Sequence, residues 1–112
     1  MRAPSYHLPM HAGFFMVVGD GCAAQADCVS SLNYPSQYGN DESCSITINQ
    51  DVHVSVGSTF SLETCCDQLM INGVDTEYSE AVPTTLTSDD AITWFTDDGV
   101  TSEGWQLCLS GA

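Results

Sequence analysis

The sequence predicts an all-β fold, an antiparallel β-sandwich, and three observations carry that prediction. Short runs of alternating apolar and polar residues recur along the chain, as in "CSITINQ" and "VHVSV", and turn residues separate them. No segment keeps a helical apolar spacing for three turns. The chain is 112 residues long with six cysteines, which fits one small domain braced by staples.

Residues 1–12, "MRAPSYHLPMHA", hold two prolines and no periodicity, so they read as an irregular lead-in or linker. The domain then runs over 13–112. "GFFMVVG" is rich in β-formers and predicts a strand. "GDGCAAQADC" reads as a loop, and "CVSSLNYPSQYGNDESC" as a turn-rich stretch with Pro35, Gly39 and Asn40. "CSITINQ" puts Ile46 and Ile48 on one face. "VHVSVGSTFSLE" alternates through Val52, Val54 and Val56, then restarts at Phe60 and Leu62 after Gly57. "DQLMING" places Leu69 and Ile71 together and ends in the tight-turn pair Asn72-Gly73. "TTLTSDDAITWF" contributes Leu86, Ile92 and Trp94, and "GWQLCLSGA" contributes Trp105, Leu107 and Leu109. The expected core is Val54, Val56, Phe60, Leu62, Leu69, Ile71, Ile92, Trp94, Trp105 and Leu107, with helix limited to a turn or two.

One basic residue, Arg2, opposes fifteen acids, for a net charge of −14. Such a surface cannot neutralise phosphates, which excludes nucleic acid and anionic lipid as partners. It suits cations, either metal ions or basic groups of another protein. Acidity also keeps a secreted protein soluble, so only positioned acids are informative. The cysteines Cys22, Cys28, Cys44, Cys65, Cys66 and Cys108 include no C-x-x-C pair, so disulfides fit better than structural zinc. Disulfides in turn imply an extracellular or secreted protein. No apolar run reaches the ~20 residues of a membrane span. "AGFFMVV" is short, is followed by Asp20 and makes a poor signal peptide. The secretion signal is therefore expected outside this chain, which would make it a module of a larger multidomain protein.

The order of several pieces resembles that of a CUB domain, an extracellular jelly-roll β-sandwich. The family's "SPNYP…Y…C" opening is similar to "SSLNYPSQYGNDESC", with Leu32 where proline is usual. Its strand leading to "F-x-L-E" resembles "VSVGSTFSLE", its "YDYLEI" strand resembles "CDQLMI", and its late "F-x-S-D…G-F" resembles "WFTDDGVTSEGW". The resemblance spans about Gly13 to Ser110. Two features depart from it: no later "CG" pair follows, and Glu63 and Asp67 are closer together than is usual.

The resemblance implies a calcium site at one end of the sandwich. Its ligands would be Glu63, Asp67 and Asp97 with a carbonyl near Gly99, supported by Tyr38. Calcium takes six to eight oxygens, so the residue types agree with the chemistry. Taken without the resemblance, the same acids read as solvated loop residues. The resemblance also implies a Cys28–Cys44 disulfide, with Cys22–Cys44 as the alternative. Cys22–Cys108 would then tie the first strand to the last, leaving Cys65 and Cys66 as a vicinal pair or as free thiols.

Other constellations are weaker. His7 and His11 have H-x-x-x-H spacing but enclose Pro9 and lack a third ligand. His53 falls on the polar face of a strand. No H-E-x-x-H, G-x-S-x-G or phosphate-loop pattern is present, and no catalytic residue or enzymatic activity is expected. The resemblance implies a calcium-dependent protein-binding module whose rim, Glu63, Asp67 and Asp97 with Asp98 and Glu103, captures a Lys or Arg of a partner. Two other roles fit the same residues: a non-catalytic accessory domain of a larger secreted protease, and an acidic spacer without an ion.

Overall fold

The computed structural model describes residues 13–112; the lead-in, with His7 and His11, lies outside them. Ten strands run in chain order: β1 Phe15–Val18, β2 Cys22–Gln25, β3 Cys28–Ser31, β4 Ser43–Ile48, β5 Val52–Val56, β6 Gln68–Ile71, β7 Val74–Asp75, β8 Thr85–Leu86, β9 Ala91–Phe95 and β10 Gln106–Gly111. They form two five-stranded sheets, β1-β4-β9-β6-β7 and β2-β3-β10-β5-β8, in which every pairing is antiparallel. The only helical piece among the described residues is a three-residue 3₁₀ turn, Ser79–Ala81. The antiparallel β-sandwich expected from the alternation is therefore the fold.

Register explains the core. Ile46 pairs with Ile92 and Cys44 with Trp94, while Leu69 and Ile71 pair with Trp94 and Ile92 from the other side. Side chains alternate faces along a strand, so these registers put one apolar row of the first sheet inward. The second sheet answers with Val29, Leu107, Leu109, Val52 and Leu86, all buried. Trp94 and Trp105 are 1% and 0% exposed, as their strand positions predicted. Four expected core residues, Val54, Val56, Phe60 and Leu62, are only partly buried against this cluster. Strand β8 covers only the start of β5, pairing with Val52 and His53, and the Val54 N–H donates to the Thr84 carbonyl at 2.8 Å, so Val56 lies beyond the paired stretch. Phe60 and Leu62 flank a single bridge, Ser61 to Gly104, rather than a strand.

Two stretches read as loops contain strands. β2 and β3 form a hairpin, with Cys22 opposite Ser31 and Gln25 opposite Cys28. Ala26 takes φ 53° in their two-residue turn. Their small and polar residues, "CAAQ" and "CVSS", carry little apolar alternation; β3 is made a strand by pairing with β10, and β2 by pairing with β3. The Asn72-Gly73 turn forms as expected, with φ 53° and 81°, the left-handed pair that a two-residue hairpin favours. Asn72 adds a tie, its Oδ1 accepting the Ala91 N–H at 2.9 Å.

The disulfides correct the expected pairing. Cys28 bonds Cys108 and Cys22 bonds Cys44, so neither Cys28–Cys44 nor Cys22–Cys108 forms. Cys28 and Cys108 are register partners on neighbouring strands, with Cα atoms 4.0 Å apart. The Gly21 N–H donates to the Ser43 carbonyl at 3.0 Å, which brings the start of β2 to the start of β4, and Cys22–Cys44 thus joins the two sheets. These bonds span sequence separations of 22 and 80, and on the chain-entropy account they contribute about 3–4.5 kcal/mol each. Cys65 and Cys66 form the vicinal pair. Three disulfides are compatible with an extracellular protein. Among the described residues no helix is long and apolar enough to cross a membrane.

Candidate metal centre

Sheet register also builds the acidic site. Gln68 on β6 pairs with Phe95 on β9, so Asp67, just before β6, comes alongside Thr96 and Asp97, just after β9. Ser43 at the start of β4 pairs with Phe95 as well, which brings the 38–42 loop to the same end. The Asp41 N–H donates to the Asp97 carbonyl at 2.9 Å, and the Thr96 N–H to the Glu42 carbonyl at 2.8 Å. Glu63 enters through a tight turn whose Cys66 and Asp67 N–H groups both donate to its carbonyl, at 3.0 and 2.9 Å.

Glu63, Asp67 and Asp97 each offer a carboxylate oxygen, and these oxygens lie within 4.8 Å of one another. Tyr38 holds the base of the group. Its O–H donates to Asp67 Oδ2 at 2.6 Å and its oxygen accepts the Glu63 N–H at 3.2 Å. Asp67 Oδ1 accepts the Asp97 N–H at 3.0 Å, and Asp97 Oδ1 accepts the Gly99 N–H at 3.0 Å. Tyr38 is buried, with its ring edge-on to Trp94 at 5.0 Å. Glu63, Asp67, Asp97, Tyr38 and Gly99 thus lie together at this end; Gly99 was expected through a carbonyl, and the hydrogen bond it makes here is through its N–H. Asp98 and Glu103 are exposed nearby in sequence, while His53 is exposed on β5.

The electrostatics are those of crowded like charges. Burial, then Asp97 and Asp67, push the Glu63 carboxyl above its ordinary value, and the Val100 amide only partly offsets them. Burial and the Asp67 hydrogen bond push the Tyr38 phenol far above its usual range, so it stays a neutral donor. Asp67 is 1% exposed and Asp97 half-buried, with no Lys or Arg among the described residues to offset them. Glu63 Oε1 is buried and accepts no hydrogen bond. An oxygen left in that condition costs free energy unless a cation or proton meets it. The donor set fits a hard cation: three carboxylates, each bonded oxygen keeping a second lone pair.

Glu42 was missed in the sequence. Its Oε1 is a second buried oxygen without a partner, and its carboxyl lies over Gly39, where a Cβ would come within 2.6 Å of Oε2. No motif marks it; only the pairing of its backbone with Thr96 brings it here.

The raised Glu63 carboxyl has a consequence for stability. The fold favours the protonated form, so this contribution is fully present below the unfolded value of about 4.3 and is lost as pH rises through the higher folded value. In chelator at neutral pH, Glu63→Gln is therefore expected to raise the melting midpoint, and to lose that advantage below pH ~4. Thermal melts across the pH range check this; a neutral-pH midpoint below that of the wild type would show that no repulsion was relieved.

No protein-family model matches this sequence, and no curated protein or solved structure matches it either.

Proposed function

We propose that the chain is an extracellular, calcium-dependent protein-binding module of the CUB type, with no catalytic role of its own. The observation that carries the reading is the convergence of Glu63, Asp67 and Asp97 within 4.8 Å around a buried Glu63 oxygen without a partner. Those residues would hold the ion, with Tyr38 fixing Asp67 from beneath. Bound calcium would neutralise the carboxylates and order the turn at 63–67 against the loop at 96–100. The acids that remain accessible at the rim, with Asp98 and Glu103, then suit a Lys or Arg of a partner through charge-assisted hydrogen bonds. Placement in a larger secreted chain follows from the same reading.

Calorimetry tests it in two steps. Calcium titrated into the chain at neutral pH is expected to bind at about one ion per chain. A lysine-bearing peptide is then expected to bind only in the calcium-loaded state, more weakly as salt rises. Absence of a calcium heat would remove the ion from the reading. Peptide binding that persists unchanged in chelator would remove the coupling between ion and partner.

A further inference from the structure

The vicinal disulfide is not explained by stability. Its cysteines are one residue apart, so it closes no loop and constrains little of the unfolded chain, unlike the bonds with separations of 22 and 80. It differs in position too. Cys65 is exposed and Cys66 half-buried, in the turn between two acids, whereas the other four cysteines sit in paired strands. The turn does not depend on the sulfur bond, because the Cys66 and Asp67 N–H groups both hold the Glu63 carbonyl. The two sulfurs and a Glu63 carboxylate oxygen already lie within 4.8 Å of one another.

We propose that this turn is a second metal site, opened by reduction: once a dithiol reductant cleaves Cys65–Cys66, the two thiolates and Glu63 bind a divalent cation of the zinc–cadmium class. The chemistry follows from the sulfur. A disulfide sulfur is neutral and a poor ligand, whereas a thiolate is anionic and selects soft or borderline cations. Reduction by exchange moves two electrons. The dithiol becomes its own disulfide, its two protons pass to the Cys65 and Cys66 sulfurs, and cation binding releases those protons to solvent. Two sulfurs and one carboxylate oxygen make three protein ligands, a set that leaves a fourth position of a tetrahedral ion to water. Glu63 belongs to both donor groups, so the soft cation in the reduced chain competes with any hard cation at the neighbouring carboxylates. The proposal stands without the calcium reading, because its sulfur ligands take no part in that site.

The test uses the full 112-residue chain. After brief treatment with a dithiol, a thiol count is expected to find the Cys65 and Cys66 pair free and the other four cysteines still bonded. Cadmium added after removal of the reductant is expected to give a thiolate-to-metal absorption band in the ultraviolet, saturating at about one ion per chain. The unreduced chain and a Cys65→Ser/Cys66→Ser variant should give no band. Glu63→Gln should weaken cadmium binding at least about tenfold, since even groups that merely orient a ligand cost that much. Tryptophan fluorescence confirms that each variant is folded. A band in the double-serine variant, an unaltered affinity in Glu63→Gln, or release of the strand cysteines before Cys65 and Cys66 would each overturn the proposal. The calcium reading is judged separately, on the oxidised chain, by melting.

Discussion

Calcium at a hundredfold excess over its dissociation constant is expected to stabilise the chain by about 2.7 kcal/mol, which for a domain of this size raises the melting temperature by about 10 °C. Asp97→Ala should abolish that rise. The reasoning is linkage: an ion that binds only where three carboxylates converge binds the folded state and not the unfolded chain. Asp97 supplies one of those carboxylates, and its Oδ1 otherwise holds only the Gly99 N–H among the hydrogen bonds seen. Its loss removes a ligand without opening the core. Two controls separate the site from general charge effects. At a net charge of −14, any salt relieves self-repulsion, so sodium chloride at matched ionic strength sets the baseline. Asp51→Ala removes one negative charge at the opposite end of the sandwich, where Asp51 Oδ1 accepts the Ser88 N–H at 3.4 Å, and should leave the calcium shift intact. Equal calcium shifts in wild type and Asp97→Ala would sink the site and leave an acidic spacer.

The fold class was legible because the residues that decide it are local. Alternation at 46–48, 69–71 and 92–94 matches the buried face, and Asn72-Gly73 forms the turn its residue pair favours. β2 and β3 were not legible, since Ala23, Ala24, Ser30 and Ser31 carry no apolar rhythm; β3 owes its strand to β10 alongside, and β2 to β3. The first-choice pairing, Cys28–Cys44, failed for the same reason, while the alternative, Cys22–Cys44, is the bond that forms. Whether Cys28 meets Cys44 or Cys108 depends on strand order, and with β3 read as a loop that order was hidden. The grouping of the acids was legible only through the resemblance carried by the order of "SLE", "CD" and "TDD" along the chain; taken alone, the same acids read as solvated loop residues. What no local pattern carries is the placing of Glu42, whose carboxyl lies over Gly39 and whose backbone pairs with Thr96. That placing depends on the pairing of β4 with β9.

Trp94→Ala is expected to cost about 3–5 kcal/mol, a large fraction of the 5–15 kcal/mol that holds a domain of this kind together, and to weaken calcium binding as well. Trp94 is 1% exposed and occupies the central strand of the first sheet, with Cys44 on one side and Leu69 on the other. Its ring lies edge-on between Tyr38 at 5.0 Å and Trp105 at 5.8 Å. Truncation would leave a cavity bordered by both aromatics, and a close-packed interior refills such a space only in part. Tyr38 would lose the packing that aims its O–H at Asp67 Oδ2, so the loss in the core and the loss at the ion site share one cause. Trp94→Phe separates them. It keeps an aromatic edge beside Tyr38 and also removes the Trp94 indole N–H, which is buried without a hydrogen-bond partner. Loss of packing volume and relief of that unpaired donor then oppose each other, and a cost near 1 kcal/mol is expected with calcium affinity largely retained. Denaturant unfolding measures the first effect and calcium melts the second. A Trp94→Ala chain that unfolds within about 1 kcal/mol of wild type, or that keeps its full calcium shift, would show that Tyr38 is positioned by the loops alone and not by the core beneath it.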